Sequence, residues 1–190
     1  MTALGDVLLV LLADSGGTAH DIQRRHAATF GAEHSVDIAR VTWTLGRQER
    51  LGFVRSAASP THARQRHWEL TEEGSRRQRM WMLRMPSDFS AEDVRTRVLL
   101  AIEATDRPTF EMVLSVCLAQ LELTRLRADP GPPGAALTAY AARAELADAG
   151  LAAEVTWLQN LRLRRRDRDL ERERVLAEAR LADTPTAEPA

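Results

Sequence analysis

The first part of the chain alternates apolar and polar positions with the spacing of helices. Residues 3–13, ALGDVLLVLLA, predict a strongly apolar helix that would anchor a core. Residues 14–17, DSGG, end it as a turn. Residues 18–30 predict a second helix, because Thr18 and Asp21 have the spacing of a capping-box variant and apolar side chains recur on one side.

The stretch from Ser35 to Gly74 predicts a helix, a hairpin and the start of another helix. Ile38, Val41 and Leu45 recur at three- and four-residue steps, the period of a helix with one face packed inward, and Gln48 is the next position on that face. The outward face carries Asp37, Arg40, Trp43, Thr44, Arg47 and Arg50. Such cationic and hydrogen-bonding groups suit phosphates and base edges.

Two short strand-like runs follow a helix stop at Gly52. They are FVR at 53–55 and HWEL at 67–70, and the SAASPTHARQR sequence between them is too rich in Ser, Pro and Ala for a core strand. Thr71 then caps another helix, which has acidic residues in its first turn. A helix followed directly by a basic hairpin is typical of a winged helix.

The same residues resemble the PadR family of winged-helix transcriptional regulators. VTWTLGRQERLGFV, at 41–54, is similar to the family's V-Y-x-x-L-x-x-L-E-x-x-G-x-V run, and ARQRHWELTEEG, at 63–74, to its R-x-Y-x-L-T-x-x-G run. The matching positions are Val41, Leu45, Glu49, Gly52, Val54, Arg66, Trp68, Leu70, Thr71 and Gly74. Thr42 replaces a tyrosine and Gln48 a leucine, so the recognition helix is expected to pack or contact DNA differently.

The resemblance implies a mainly helical protein with a small β-wing. A winged helix-turn-helix domain is expected over residues 1–85 and a helical dimerisation domain over 88–182, followed by a disordered tail at 183–190. The expected function is that of a sequence-specific transcriptional regulator, a homodimeric repressor bound to a near-palindromic site in double-stranded DNA and released by a small hydrophobic effector. The residues expected to contact DNA are Arg40, Thr42, Trp43, Thr44 and Arg47 in the helix and His62, Arg64 and Arg66 in the wing.

Beyond the break at residues 86–88, the pattern is helical to near the C-terminus. Ser90 caps one predicted helix, and residues 109–128 form another with an apolar stripe. From Leu137 to Leu158 the apolar positions come close to an alternating three-four pattern, which implies a partner helix. The charged residues 162–183 are typical of a solvated helix extension.

Charge is distributed unevenly along the 190 residues. All 26 basic residues are arginine, and residues 35–85 contain ten of them against five acidic residues, whereas 86–190 contain fourteen against eighteen. The basic half is the half with the wing, as expected of a nucleic-acid face. A single cysteine, no basic leader and no apolar run near the roughly 20 residues of a membrane span favour a cytoplasmic protein.

Four soft or flat side chains are candidates for an effector site: Trp81, Met82, Met85 and Trp157. The alternative is an ordinary helical interface. Cys117 lies on an apolar stripe and is expected to be a structural thiol rather than a redox sensor. The five histidines have no metal-ligand spacing and no catalytic signature is present, so neither a metal, a cofactor nor an enzyme activity is expected.

Two other functions fit parts of the pattern. The altered Thr42 and Gln48 would suit a winged-helix protein-interaction module that does not bind DNA. A MarR-like regulator is also winged and dimeric, but such proteins dimerise through helices from both ends of the chain. The helical mass here is C-terminal, which favours the PadR-like arrangement.

Overall fold

The computed structural model describes residues 4–58, 66–127 and 138–182. The predicted wing-tip contacts His62 and Arg64, and the predicted disordered tail, lie outside these ranges. The elements are α1 (Leu4–Leu12), β1 (Gly17–Thr18), α2 (Ala19–Phe30), a 3-10 turn (Ala32–His34), α3 (Ile38–Arg50), β2 (Val54–Ala58), β3 (Arg66–Leu70), α4 (Glu72–Leu83), α5 (Ala91–Ala104), α6 (Arg107–Arg127) and α7 (Ala139–Ala182). The predicted fold class, mainly α with a small β-wing, is confirmed.

The small sheet is antiparallel, with strand order β1-β3-β2. The hairpin register pairs Val54 with Leu70 and Ala58 with Arg66, and the two-residue β1 pairs Gly17 with Trp68. Sequence reasoning assigned the residues of β1 to a turn and to the cap of α2. The short strand forms because β3 offers it a free edge.

Helix α1 is the centre of the N-terminal core. Its residues from Val7 to Leu12 are all buried, as predicted for an anchoring helix. It packs against α2, α3, α4 and α5. Arg25 of α2 closes its C-terminal end, because Nη1 donates to the carbonyl oxygens of Leu11 at 2.8 Å and Gly16 at 2.7 Å.

The backbone that leads into β2 comes very close to the start of α4. The Thr71 hydroxyl accepts from the Gly74 backbone N–H at 3.0 Å, which caps α4, and donates to the Gly52 carbonyl at 2.6 Å. A Cβ on Gly74 would lie 1.8 Å from the carbonyl oxygen of Phe53. The T-x-x-G sequence therefore both starts α4 and leaves space for the backbone that leads into β2.

The chain divides into two compact units, residues 1–120 and 121–190. The first unit extends past the predicted domain break at residues 86–88, because α5 packs against α1 and α2. Buried Arg97 also ties α5 to α4: its Nε donates to the Trp81 carbonyl oxygen at 3.1 Å. Within the second unit, Arg125 forms a two-pronged ion pair with Asp148, at 2.8 and 3.2 Å.

Candidate nucleic-acid interface

Helices α2 and α3 form a helix-turn-helix joined by the short 3-10 turn. The Gln23 side-chain amide donates to the Val36 carbonyl oxygen at 2.9 Å, which holds the turn against α2. The Asp37 side chain accepts from the backbone N–H of Ala39 and caps α3. These contacts set the direction in which α3 leaves the turn.

The inward face of α3 is the one that the periodicity predicts. Val41 and Leu45 are fully buried, and Ile38 is half-buried. At the C-terminal end, Gln48 lies over Gly5 of α1 so closely that a Cβ on Gly5 would be 2.2 Å from the Gln48 amide nitrogen. The glutamine that replaces the expected leucine is thus accommodated by a missing side chain on α1.

The outward face of α3 is exposed and cationic. Arg40, Arg47 and Arg50 are exposed and, within the described residues, form no ion pair. Trp43 keeps 63% of its surface exposed, so it is not a core residue. A large aromatic side chain left in water beside unpaired cations is available for a ligand.

The two threonines of α3 predicted to contact DNA lie in different environments. Thr44 is only 6% exposed, so its predicted place on the outward face is wrong: it lies three residues after buried Val41 and beside buried Leu45. Thr42 is exposed, but its hydroxyl donates to the Ile38 carbonyl oxygen at 2.8 Å. That hydroxyl therefore already uses its hydrogen within the helix.

Glu49, near the end of α3, links the helix to the wing. Its carboxylate accepts from the Ser56 hydroxyl at 2.6 Å and pairs with Arg66 at 3.4 Å. Next to them, Arg55 and Glu69 form a cross-strand pair at 2.8 Å. Arg66, predicted to contact DNA, thus has an intramolecular partner, although its side chain remains largely exposed.

A cleft of about 390 Å³ lies between α1 and α3, and its lining includes Arg40, Trp43 and Arg47. Arg77 of α4 also lines it, but its guanidinium is bound to the buried Asp6 carboxylate at 2.8 and 3.0 Å. The hydrogen bond to Asp6 raises the pKa of Arg77. Free positive charge at the cleft therefore comes from Arg40 and Arg47. Pattern reasoning missed the Asp6 to Arg77 pair, because the two residues are 71 positions apart.

The predicted effector residues occupy different environments. The Arg97 guanidinium stacks on the Trp81 ring at 4.3 Å, Met82 is fully buried and Met85 is half-buried. Trp157 is half-buried in α7, in the second compact unit. Their role as an effector site stays a prediction.

Other chemistry is limited in the part of the chain that the structure describes. Burial raises the pKa of the Cys117 thiol to about 11, so it stays protonated at neutral pH, consistent with a structural thiol. No three His, Cys, Asp or Glu side chains there form a group able to hold a metal ion. No described helix has the length and apolar character of a membrane span.

These elements define a winged helix-turn-helix followed by further helices: α2 and α3 form the motif, and the β2–β3 hairpin is the wing. Comparison with family models finds no match, and comparison with curated proteins finds none either.

Three solved structures illustrate what the chain is similar to. Bacillus subtilis PadR in complex with operator DNA is 15% identical, with 85% of this chain and 97% of that chain covered and a TM-score of 0.39. The same protein in complex with p-coumaric acid is 15% identical, over 83% and 92%, with a TM-score of 0.36. A PadR-like transcriptional regulator from Bacillus cereus is 18% identical, over 82% and 93%, with a TM-score of 0.34.

Proposed function

We propose that this protein is a DNA-binding transcriptional regulator that uses α3 to read the major groove. The observation that carries the proposal is the outward face of α3, where exposed Trp43 stands between Arg40 and Arg47 without intramolecular ion pairs. A recognition helix needs base-reading and phosphate-binding side chains on one accessible face. The wing, fixed to α3 through Glu49, would contact the flanking backbone through Arg66 and the predicted tip residues His62 and Arg64.

We further propose that the protein acts as a homodimer on a near-palindromic operator. Two copies related by a twofold axis would each place α3 in successive major grooves, and the operator would carry the same symmetry. Residues 88–182 are the proposed dimerisation region. Support comes from α7, which leaves Tyr140 79% and Leu146 75% exposed in the single chain.

Repression would follow from occlusion of a promoter. An effector would release the operator only by binding the free form of the dimer more tightly than the DNA-bound form. Trp81, Met82, Met85 and Trp157 remain the predicted effector residues. The sign of regulation is tested by transcription in vitro from a template that carries the selected operator.

The test of DNA binding is selection of genomic fragments with the purified protein, followed by salt titration of the best fragment. A palindromic sequence should be enriched, and log affinity should fall by about 0.9 per log unit of salt for each phosphate neutralised. The double substitution Arg40→Glu and Arg47→Glu should abolish binding. Arg79→Glu with Arg84→Glu, the same charge change on exposed residues at and just after α4, is the matched control and should bind.

The protein-interaction module remains the second candidate, now with less support. The Gln48 substitution that favoured it is accommodated under α1 and leaves the outward face of α3 unchanged. Only Thr42 still alters that face. If a folded dimer enriches no fragment, or binds equally well after the charge reversal on α3, the interaction module becomes the better explanation.

A further inference from the structure

The surface of α3 around Trp43 is shaped for a close approach. On a helix the nearest neighbours of this residue are three and four positions away, and two of them are small: Ala39 and Gly46. A Cβ added to Gly46 would find only the Arg50 guanidinium, at 4.0 Å. The indole therefore projects beyond these two small residues, and a base edge can reach it from the side of Ala39 and Gly46.

The remaining neighbours on this face are cationic. Arg40 lies three residues before Trp43 and Arg47 four residues after it, and both side chains are exposed. Phosphate contacts by such arginines position a helix in the groove but do not read sequence. The side chain between them is then the one held against base edges.

We propose that Trp43 recognises the C5-methyl group of a thymine in each half-site. This inference rests on the proposed function, since it needs α3 in the major groove. Thymine's methyl is the apolar group among the donors and acceptors that base pairs present there. The apolar indole face gains by covering a methyl, whereas covering a polar base edge removes water without replacing its hydrogen bonds. The indole N–H adds one donor for a neighbouring acceptor such as thymine O4 or purine N7.

The expected effect is modest and measurable. Burial of one methyl-sized group corresponds to about a fourfold change in Kd. A symmetric operator has two such contacts, so loss of both methyl groups should weaken binding by about fifteenfold. Loss of one or two methyl groups should weaken binding much less than removal of the arginines. Specific binding should therefore persist, and affinities with and without each methyl group can be compared on the same operator.

The experiment replaces each thymine of the selected operator in turn by deoxyuridine, which lacks only the methyl group. The wild-type protein should lose about fourfold in affinity at one position of each half-site. The Trp43→Ala protein should bind the thymine and deoxyuridine operators equally at that position, and Trp43→Phe should keep part of the difference. Because Trp43 is exposed, both variants should fold, which circular dichroism checks.

A second probe places cytosine or 5-methylcytosine at the same position. The wild-type protein should prefer the methylated base, and Trp43→Ala should not. The inference is overturned if no deoxyuridine position weakens binding, or if Trp43→Ala retains the full deoxyuridine penalty, since the methyl would then act through DNA shape. Absence of salt-sensitive binding to any fragment would instead overturn the proposed function itself.

Discussion

Gly74 shows how one residue type can be required by packing rather than by backbone conformation. Its φ is not positive, yet a Cβ there would lie 1.8 Å from a backbone oxygen that cannot move independently of the wing. This accounts for glycine in the T-x-x-G sequence after the second strand. Gly46, by contrast, has open space around it.

We predict that Gly74→Ala destabilises the N-terminal unit by about 3 kcal/mol, because the methyl group forces α4 away from the residues before β2. Gly46→Ala is the control and should stabilise it by up to about 1 kcal/mol, the difference in helix propensity. Urea unfolding of both variants measures the effects. Equal stability of the two would show that the approach of Phe53 to α4 is not maintained in solution.

His26 is a buried imidazole whose surroundings do not stabilise its charged form. It is 7% exposed, its Nδ1 has no hydrogen-bond partner within the described structure, and its ring packs against Phe30 with centroids 4.7 Å apart. Burial, and secondarily the charge of His34, lowers the pKa of His26 below the usual 6.5. The unfolded chain therefore binds a proton at this residue more readily than the folded chain does.

The sign of the pH effect follows from that difference. The contribution of neutral His26 to the free energy of unfolding should be fully present above about pH 6.5, the pKa of His26 in the unfolded chain. It should decline as the pH falls from there towards the lower pKa of His26 in the folded chain. His26→Leu should flatten the decline below about pH 6.5. His20→Gln, at an exposed position of the same helix, should leave it unchanged. Thermal unfolding across this range is the measurement, and a wild-type slope retained by His26→Leu would contradict it.

At the scale of elements, polar pairs between side chains connect the helices and the hairpin of the winged helix to one another. Glu49 ties α3 to the hairpin, and Asp6 ties α1 to α4. The Asp6 carboxylate is nearly buried and both of its oxygens accept from Arg77. Removing only the cation would leave a buried anion without its partner.

We predict that Arg77→Met destabilises the N-terminal unit by about 2 kcal/mol while keeping the aliphatic part of the side chain. Adding Asp6→Asn should recover part of the loss, because the amide carries no charge. A double-mutant cycle by chemical denaturation gives the coupling energy. Independent, additive effects would mean that the ion pair contributes nothing to holding α1 on α4.

At the scale of the whole molecule, the proposed regulator requires two copies. The described surface of α7 carries large apolar side chains that a single chain leaves in water: Tyr140, Leu146, Leu163, Leu170, Val175 and Leu176. Leu163 and Leu170 are one heptad apart, a spacing that suits a partner helix. A second copy is the partner that the proposed near-palindromic operator would require.

We predict that the wild-type protein sediments at twice the 21.2 kDa mass of one chain. Tyr140→Glu with Leu146→Glu should shift it to single chains, because a charge buried at a helical interface has no partner. Arg143→Ala, an exposed polar change on the same helix, is the control and should remain dimeric. A wild-type protein that stays monomeric at all concentrations would contradict both the dimer and the two-half-site operator.

Local chemistry in the sequence determined most of the elements. Helical periodicity located α1, α2, α3 and α6, and the Thr18–Asp21 and Ser90–Asp93 capping boxes both form as their spacing predicts. These features depend on residues three or four positions apart, so a single sequence contains them. The outward positions of Arg40, Trp43 and Arg47 followed from the same periodicity.

Only the tertiary structure decided contacts between residues far apart in the chain. Thr44 is buried together with Val41 and Leu45, because the face of α3 that packs against the core is wider than the apolar stripe in its sequence. Gly17 pairs with Trp68, and Gln48 fits over Gly5, because elements separated by more than forty residues meet there. The first compact unit extends past residue 88 for the same reason, since α5 packs on α1 and α2. Such packing depends on the shapes of both contacting segments. The local sequence of one segment therefore does not show which distant segment it will contact.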